Sequence, residues 1–289
     1  MSRVAIIGPG RVGRAMALGL LRAGHDVGVV AGRNPASASL ARFARLVPAA
    51  RTVDVAHAPV GVDLVVVTTV DDQIAHVVRS AAQADTIAPG QRWVHTSGGY
   101  GLDVLGFARA AGARVAACHP AMTFPDPSSG AEHLVCTSWA VTADHDDRFW
   151  AEQLIRDLAG EPVPVAERNR ALYHAALTVG SNGTAAVVTL ARELLLGAGV
   201  ANPTEFLRPL IEASALGAAE EGVQALTGPV RRGDAGTLDR HLTELQDSFP
   251  EAVATYLALC DLLVSQAARA GLDAAGQTKV RTVLDELRG

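Results

Sequence analysis

Residues 3–14 read Arg3-Val-Ala-Ile-Ile-Gly-Pro-Gly-Arg-Val-Gly-Arg14, and their pattern decides the fold. A short apolar strand, Val4 to Ile7, runs into Gly8-Pro9-Gly10-Arg11-Val12-Gly13, and a helix of about ten residues follows. Strand, glycine turn and helix in that order are the setting in which Gly-x-Gly-x-x-Gly binds a dinucleotide. Gly8 is expected to permit the tight turn, Gly10 to let the backbone approach a pyrophosphate, and Gly13 to let helix and strand pack closely. The pyrophosphate would rest on the free N–H groups at the helix N-terminus.

The second strand, Val27 to Ala31, says which nucleotide. In the NAD-specific form an acidic residue at its end accepts hydrogen bonds from the adenine ribose. Here the strand ends in Gly32-Arg33-Asn34, without a carboxylate. The guanidinium fork of Arg33 suits a 2′-phosphate, with Asn34 and Ser37 as further donors. NADP(H) is therefore the expected cofactor, bordered also by Thr69 and Val70 after the fourth strand. Arg33 as a solvated loop residue is the alternative.

At 289 residues the chain suits two domains, each with its own core. A net charge of −5 and a pI near 6.0 leave no basic footprint, so neither nucleic acid nor a membrane surface is an expected partner. Cys118, Cys136 and Cys260 form no CxxC or Cys/His cluster, and the nine histidines are scattered. No metal site is expected, and the cysteines suit a reducing cytoplasm. The strand that begins at once leaves no room for a signal peptide. The most apolar stretch, Leu172 to Leu196, is broken by Ser181-Asn182-Gly183 and reads as a buried helix.

Strand-like and helical runs alternate to about residue 165. Strands are expected near residues 52–55, 63–68, 93–96, 114–118 and 134–141, with a short segment at 162–165. Helices are expected near 36–46, 74–82, 102–111 and 146–158. That alternation predicts a parallel sheet with helices on both faces. Beyond Glu167 the pattern is helical: one long run from Arg168 to Gly199, then shorter helices to the end. The fold class is thus α/β, a Rossmann dinucleotide-binding domain over 1–165 followed by an all-α domain over 166–289 for substrate and dimerisation. A first helix of that length, with Gly180 and Gly183 three apart to let another backbone come close, predicts a homodimer through the helical domain; a kink at these glycines is the alternative.

Ligands of an open α/β sheet bind beyond the carboxyl ends of its strands. Ser97-Gly98-Gly99 follows the fifth strand, and its hydroxyl and free backbone N–H groups suit a substrate carboxylate. His119, after the sixth strand, is a candidate for the proton that accompanies hydride transfer, with His95 a weaker one. His174, Thr178 and Asn182 are spaced to share a helix face, which makes His174 a second proton donor and Asn182 a group that orients substrate. Each of these residues has a purely structural alternative. Arg231 and Arg232 lie in a polar loop, where they either bind a carboxylate or are solvated charge.

Several motifs carry a resemblance. Gly8–Gly13, His119-Pro120, Tyr173-His174-Ala-Ala, Ser181-Asn182, and Leu226-Thr-Gly-Pro-Val-Arg-Arg-Gly-Asp234 with His241-Leu242 resemble the Rossmann-like oxidoreductases whose C-terminal half is domain of unknown function 2520. More distantly, His174 to Gly183 is similar to the segment opening the helical domain of pyrroline-5-carboxylate reductases, which reduce a cyclic imine with NADPH. The Gly-Gly-Thr-Thr loop of those enzymes is missing here. The 6-phosphogluconate and β-hydroxyacid dehydrogenase-like superfamily, with ketopantoate reductase, shares the architecture and uses a lysine on the long helix for proton transfer. The sole lysine of this chain is Lys279, near its end, so a histidine or water must replace that acid.

Together these readings predict an NADP(H)-dependent oxidoreductase that reduces a C=O or C=N bond of a small carboxylate lying between the domains. A ketopantoate-like 2-keto acid is the first choice of substrate and a cyclic imine the second. A sensor or scaffold protein that binds NADP(H) without turnover is the rival class, because many functions are grafted on this fold.

Overall fold

A computed structural model describes residues 1–124 and 131–288. The chain divides into two compact units, Met1–Gly180 and Ser181–Gly289.

The first unit alternates strand and helix in the order β1 (Arg3–Ile7), α1 (Arg11–Arg22), β2 (Asp26–Ala31), α2 (Ala38–Leu46), β3 (Arg51–Val53), β4 (Leu64–Val67), α3 (Asp71–Gln83). It continues with β5 (Arg92–His95), α4 (Gly106–Ala110), β6 (Arg114–Pro120), β7 (Ser138–Ala143), α5 (Arg148–Asp157), β8 (Glu161–Pro164) and α6 (Arg170–Leu177). Among the described residues these strands form one sheet of order β3-β2-β1-β4-β5-β6-β7-β8. Every pairing is parallel except β6 with β7, which is antiparallel. This corrects the all-parallel expectation: alternation along the chain reports strands, not their direction. The strand expected from residue 134 begins only at Ser138, since Glu132–Leu134 is a 3₁₀ turn.

Side chains alternate across the sheet, and the two cores follow that period of two. Val4, Ile6, Leu64 and Val66 face one core with Met16, Leu20, Phe43 and Trp150, from α1, α2 and α5. Ala5, Ile7, Val65 and Val67 face the other with Ile74 and Val78 from α3, Leu105 from the 3₁₀ turn Asp103–Leu105, and Ala108 from α4. Buried on both faces, these strands read as continuous apolar runs. Truncating Ile6 to alanine removes about 2–5 kcal/mol of that packing.

The sheet reverses its winding between β1 and β4, so a crevice opens beyond their carboxyl ends. Helical structure starts where expected, after residue 165, but the first unit runs on to Gly180 because α6 packs onto the ends of β5, β6 and β7. The contacts of Arg170 with Ser97, Ala117 and Ala140 make that junction.

A π-helical turn, Thr178–Gly183, separates α6 from α7 (Thr184–Gly197). Then follow α8 (Pro203–Glu221), α9 (Gly228–Arg232), α10 (Ala235–Ser248), α11 (Pro250–Arg269) and α12 (Ala274–Glu286). The core of the second unit is Val230, Leu238, Leu242, Leu257, Cys260, Val264, Val280 and Leu284. Asp234 and Asp273 cap α10 and α12 by accepting the Thr237 and Gly276 N–H groups. Helix α11 is long and apolar enough to cross a membrane, and it supplies Leu257, Cys260 and Val264 to that core. The buried helix expected over 172–196 is not buried: α7 has no buried residue, and Phe206, Leu210 and Leu216 of α8 are each more than 60 % exposed. Among the described residues of the second unit, none covers that face.

Candidate functional site

The turn after β1 is shaped by three different demands on its glycines. Gly8 has φ +104°, and a Cβ there would meet the Thr68 and Thr69 backbone at 2.7 Å. A Cβ on Gly13 would lie 2.1 Å from the Gly8 carbonyl oxygen, so helix and turn fit only without it. Gly10 has nothing within 4 Å, which leaves its backbone open. Thr68 fastens the turn to β4, its hydroxyl donating to the Gly8 carbonyl at 2.7 Å.

Beneath this turn sits Arg14, 3 % exposed, whose Nη1 donates to the Pro9 carbonyl at 2.9 Å. Burial, and then Arg42 and Arg11, hold its guanidinium below the usual range. The sequence reading passed over Arg14 as one more basic residue of a helix. Arg11 and Val12 open α1, with Arg11 exposed.

A cavity of about 830 Å³ runs along this edge, lined by Gly8, Pro9 and Gly10, by Arg33, Asn34 and Ser37, and by Thr69 and Val70. Arg33 is exposed at its side, while Asn34 Oδ1 and Ser37 Oγ accept the backbone N–H groups of Ala36 and Leu40. The hydroxyl of Thr69 is buried without a partner. Asp54 also lines the cavity, its carboxyl held low by the hydrogen bond from His57. An open cradle at Gly10, an orphaned hydroxyl and a guanidinium fit a phosphorylated dinucleotide.

A second group forms where β5 and β6 end. His95 is fully buried and clamps the following loop: Ser97 N–H donates to its Nδ1 at 3.2 Å, and Nε2 lies 2.8 Å from the Gly101 carbonyl. Since Nδ1 accepts, the proton is on Nε2 and the ring is neutral. Burial pushes its pKa down to about 4. His95 is thus a loop clamp, which removes it as a proton donor to substrate. Ser97 is buried too, its Oγ accepting the Tyr100 N–H at 3.3 Å. The Glu167 carboxylate takes the Leu102 N–H at 2.9 Å and would overlap any side chain on Gly101.

His119 Nδ1 lies 2.8 Å from the Tyr173 hydroxyl, and the two rings meet edge to face. The His174 ring lies 6.0 Å from that of His119. A Cβ on Gly98 would touch both imidazoles, at 2.6 Å from His174 and 3.0 Å from Nε2 of His119. The His119 pKa is pushed down to about 4, by burial first and then by Arg170, His174 and His95. That corrects the expectation of an imidazole titrating near working pH: at neutral pH His119 carries no charge. Burial raises the Tyr173 phenol, and Arg170 opposes the rise.

His119, His174 and Ser97 therefore come together in the first unit, with Tyr173, which the sequence marked only as part of a family motif, and with Arg170 and Glu167, which it did not single out. An arginine and a glutamate near the start of a helix carry no motif. Asn182 is exposed and belongs to the second unit. The α-helical register that aligned it with His174 and Thr178 is broken by the π turn, which Gly180 and Gly183 make easy to wind. Arg231 and Arg232 line a cavity of about 750 Å³ within the second unit, and Arg231 donates to the Ala270 carbonyl at 2.7 Å.

Residues 1–120 match the family model of the Rossmann-like domain, and residues 137–262 that of domain of unknown function 2520. The chain is similar to a Bacteroides fragilis protein provisionally described as an NADP oxidoreductase, at 24% identity over 91% of this chain and 98% of that one, with TM-score 0.76. It is similar to a pyrroline-5-carboxylate reductase from Coxiella burnetii, at 19% identity over 98% of each chain, with TM-score 0.55. An imine reductase from Myxococcus stipitatus in complex with NADP+ matches at 18% identity over 96% of this chain and 99% of that one, with TM-score 0.61. No protein of curated function matches the sequence. At these identities the likeness establishes a shared fold.

Proposed function

From a chain that carries a Rossmann-like domain over residues 1–120 and a domain of unknown function 2520 over 137–262, we propose an NADP(H)-dependent oxidoreductase. It reduces a C=O or C=N bond of a small carboxylate. The observation that carries this reading is the open backbone at Gly10, flanked by Arg33 with no acid at the end of β2. Gly8 to Gly13 hold the pyrophosphate over the Arg14 charge, Arg33 and Asn34 hold the 2′-phosphate, and Thr69 and Val70 border the dinucleotide. The cofactor, when bound, supplies the hydride.

His119 then provides the proton. Its Nε2 has no partner among the described residues and lies beside Gly98, while Tyr173 backs the ring at Nδ1. A neutral imidazole passes on its Nε2 proton as it takes another at Nδ1, so no imidazolium is needed. Backbone N–H groups of Gly98 and Gly99 hold the carboxylate, with His174 at its side. A 2-keto acid is favoured over a cyclic imine, since the buried Arg170 charge suits a developing oxyanion better than an iminium.

The test is NADPH consumption against a panel of 2-keto acids and cyclic imines, with NADPH binding measured in parallel. Turnover of one class with tight NADPH binding supports the reading. Binding without turnover of any substrate points to a sensor, and no binding of either nicotinamide nucleotide defeats both. We also propose that the uncovered face of α7 and α8 pairs with a second copy of the chain. Light scattering should then give twice the monomer mass, and Leu210→Asp should halve it.

A further inference from the structure

Arg170, the first residue of α6, is 1 % exposed. Its Nη1 reaches the carbonyls of Ala117 at 3.4 Å and Ala140 at 3.3 Å and the Thr142 hydroxyl at 3.3 Å, while Nη2 donates to the Ser97 carbonyl. One guanidinium thus gathers β6, β7 and the loop after β5. Above it lies the Tyr173 ring, its centroid 5.9 Å from Cζ.

Among the described residues no carboxylate forms an ion pair with Arg170. The Glu167 carboxylate, close in sequence, is turned to the Leu102 N–H instead. A cation buried against neutral acceptors is costly, and an apolar side chain of similar volume fills such a space without that cost. The charge needs a purpose. The groups that face it are His119 and Cys118 from β6, His95 from β5, Tyr173 from α6, and Asp71 and Glu167 farther off.

We propose that Arg170 is a positioning residue of the reduction: it fixes the direction of the Tyr173–His119 hydrogen bond, phenol donating and imidazole accepting, and offsets the charge that develops on the Tyr173 oxygen. A cation on this side disfavours any added proton on the imidazole and favours a phenolate. In the step itself the hydride reduces the C=O carbon, and the Nε2 proton of His119 goes to the oxygen. The Tyr173 proton moves to Nδ1, leaving a phenolate beside Arg170. The Nδ1 proton then returns to the Tyr173 oxygen as Nε2 takes a proton from solvent, so one solvent proton is consumed per turnover. The step rests on the reductase reading, whereas the control of Tyr173 by Arg170 is measurable without turnover.

The chain has three tyrosines, so Tyr100→Phe with Tyr256→Phe leaves Tyr173 as the sole phenol. Labelling it as a fluorotyrosine brings its ionisation into the range where the protein is stable, and tyrosinate absorbance reads it directly. Arg170→Gln should raise that midpoint by about one pH unit or more, and Arg170→Lys, which keeps the charge, should leave it near the parent's. Arg170→Lys should still lower kcat roughly tenfold with KM unchanged, because an ammonium cannot hold the fork of carbonyls. Equal midpoints in parent and Arg170→Gln would overturn the proposal.

Should Arg170→Gln not fold, nitrogen NMR of His119 in the unaltered chain decides. Nδ1 bare and Nε2 protonated supports the assignment, and the opposite tautomer overturns it. A chain that turns over no substrate but shows the Tyr173 shift keeps the Arg170–Tyr173 coupling and loses the reductase reading.

Discussion

The turn after β1 and the loop after β5 leave the same edge of one sheet, and each is held from below by a buried guanidinium. Arg14 donates to the Pro9 carbonyl, and Arg170 to that of Ser97. Both leave Nε without a partner. Their surroundings differ. Arg14 makes one such bond and lies under the open backbone at Gly10, which its field reaches. Arg170 meets four acceptors and lies under the Tyr173 ring, so its field acts on Tyr173 and on His119 beside it. The same residue type serves as an anion's counter-charge in one place and as a tuner of proton transfer in the other.

The largest effect that separates the two regions should come from Gly13→Val. Its Cβ would fall 2.1 Å from backbone, and backbone cannot step aside. Stability should fall by about 3 kcal/mol in a denaturant melt, and NADPH binding should be lost with it. Gly10→Ala sharpens the contrast: nothing crowds that position, so stability should hold within about 0.5 kcal/mol while NADPH binding weakens. If both variants bind NADPH as the parent does, the turn is not a phosphate site.

His119→Ala should act in the opposite sense, on chemistry and not on cofactor binding. A loss of roughly 10²- to 10³-fold in kcat is expected, with NADPH affinity changed less than about twofold. Tyr173→Phe should cost roughly tenfold in kcat, because the relay is broken one atom further from the substrate. Unchanged turnover in both variants would move the proton donor elsewhere.

The two regions also differ in how far they can be read from sequence. The β1–α1 turn is contiguous, and each of its glycines answers a local demand, so six residues announce the site. The cluster at β5 and β6 is assembled from residues 95–101, 118–119, 142 and 167–174, which only the fold brings together. His119 could be singled out because it ends a strand. Its neutral state could not, since burial and the Arg170 charge that produce it are tertiary facts. At Gly180 and Gly183 the sequence offered a kink only as the alternative to a close helix contact. The π turn over Thr178–Gly183 is that break, its type not legible because Ser181-Asn182-Gly183 fits a helical period nearly as well as any polar break. The β6–β7 direction escaped because a strand's composition is silent on its partner.

Arg33→Asp tests the outer end of the dinucleotide site. A carboxylate there repels a 2′-phosphate and accepts from a ribose hydroxyl. NADPH should bind roughly 10²-fold more weakly, about 3 kcal/mol, while NADH binding improves. An unchanged preference would mean that Arg33 is solvated and another residue, Asn34 or Ser37, reads the phosphate.

The smallest expected effect concerns pH, and it belongs to the loop after β5 alone, because the glycine turn contains no histidine. His95 titrates near 6.5 in the unfolded chain and at about 4 when folded. Between those values the unfolded state binds more protons, so stability is full above about pH 6.5 and falls as acid is added. At about pH 5 the loss should be about 2 kcal/mol from His95. His119 shifts in the same direction, but the two rings feel each other's charge, so their losses do not add. His95→Asn keeps a donor and an acceptor for the clamp and removes the titration. Denaturant melts at about pH 7.5 and about pH 5 should show the difference between the two conditions shrinking by about 2 kcal/mol in that variant. If parent and variant lose the same stability on acidification, then His95 is not the residue that ties this loop to pH.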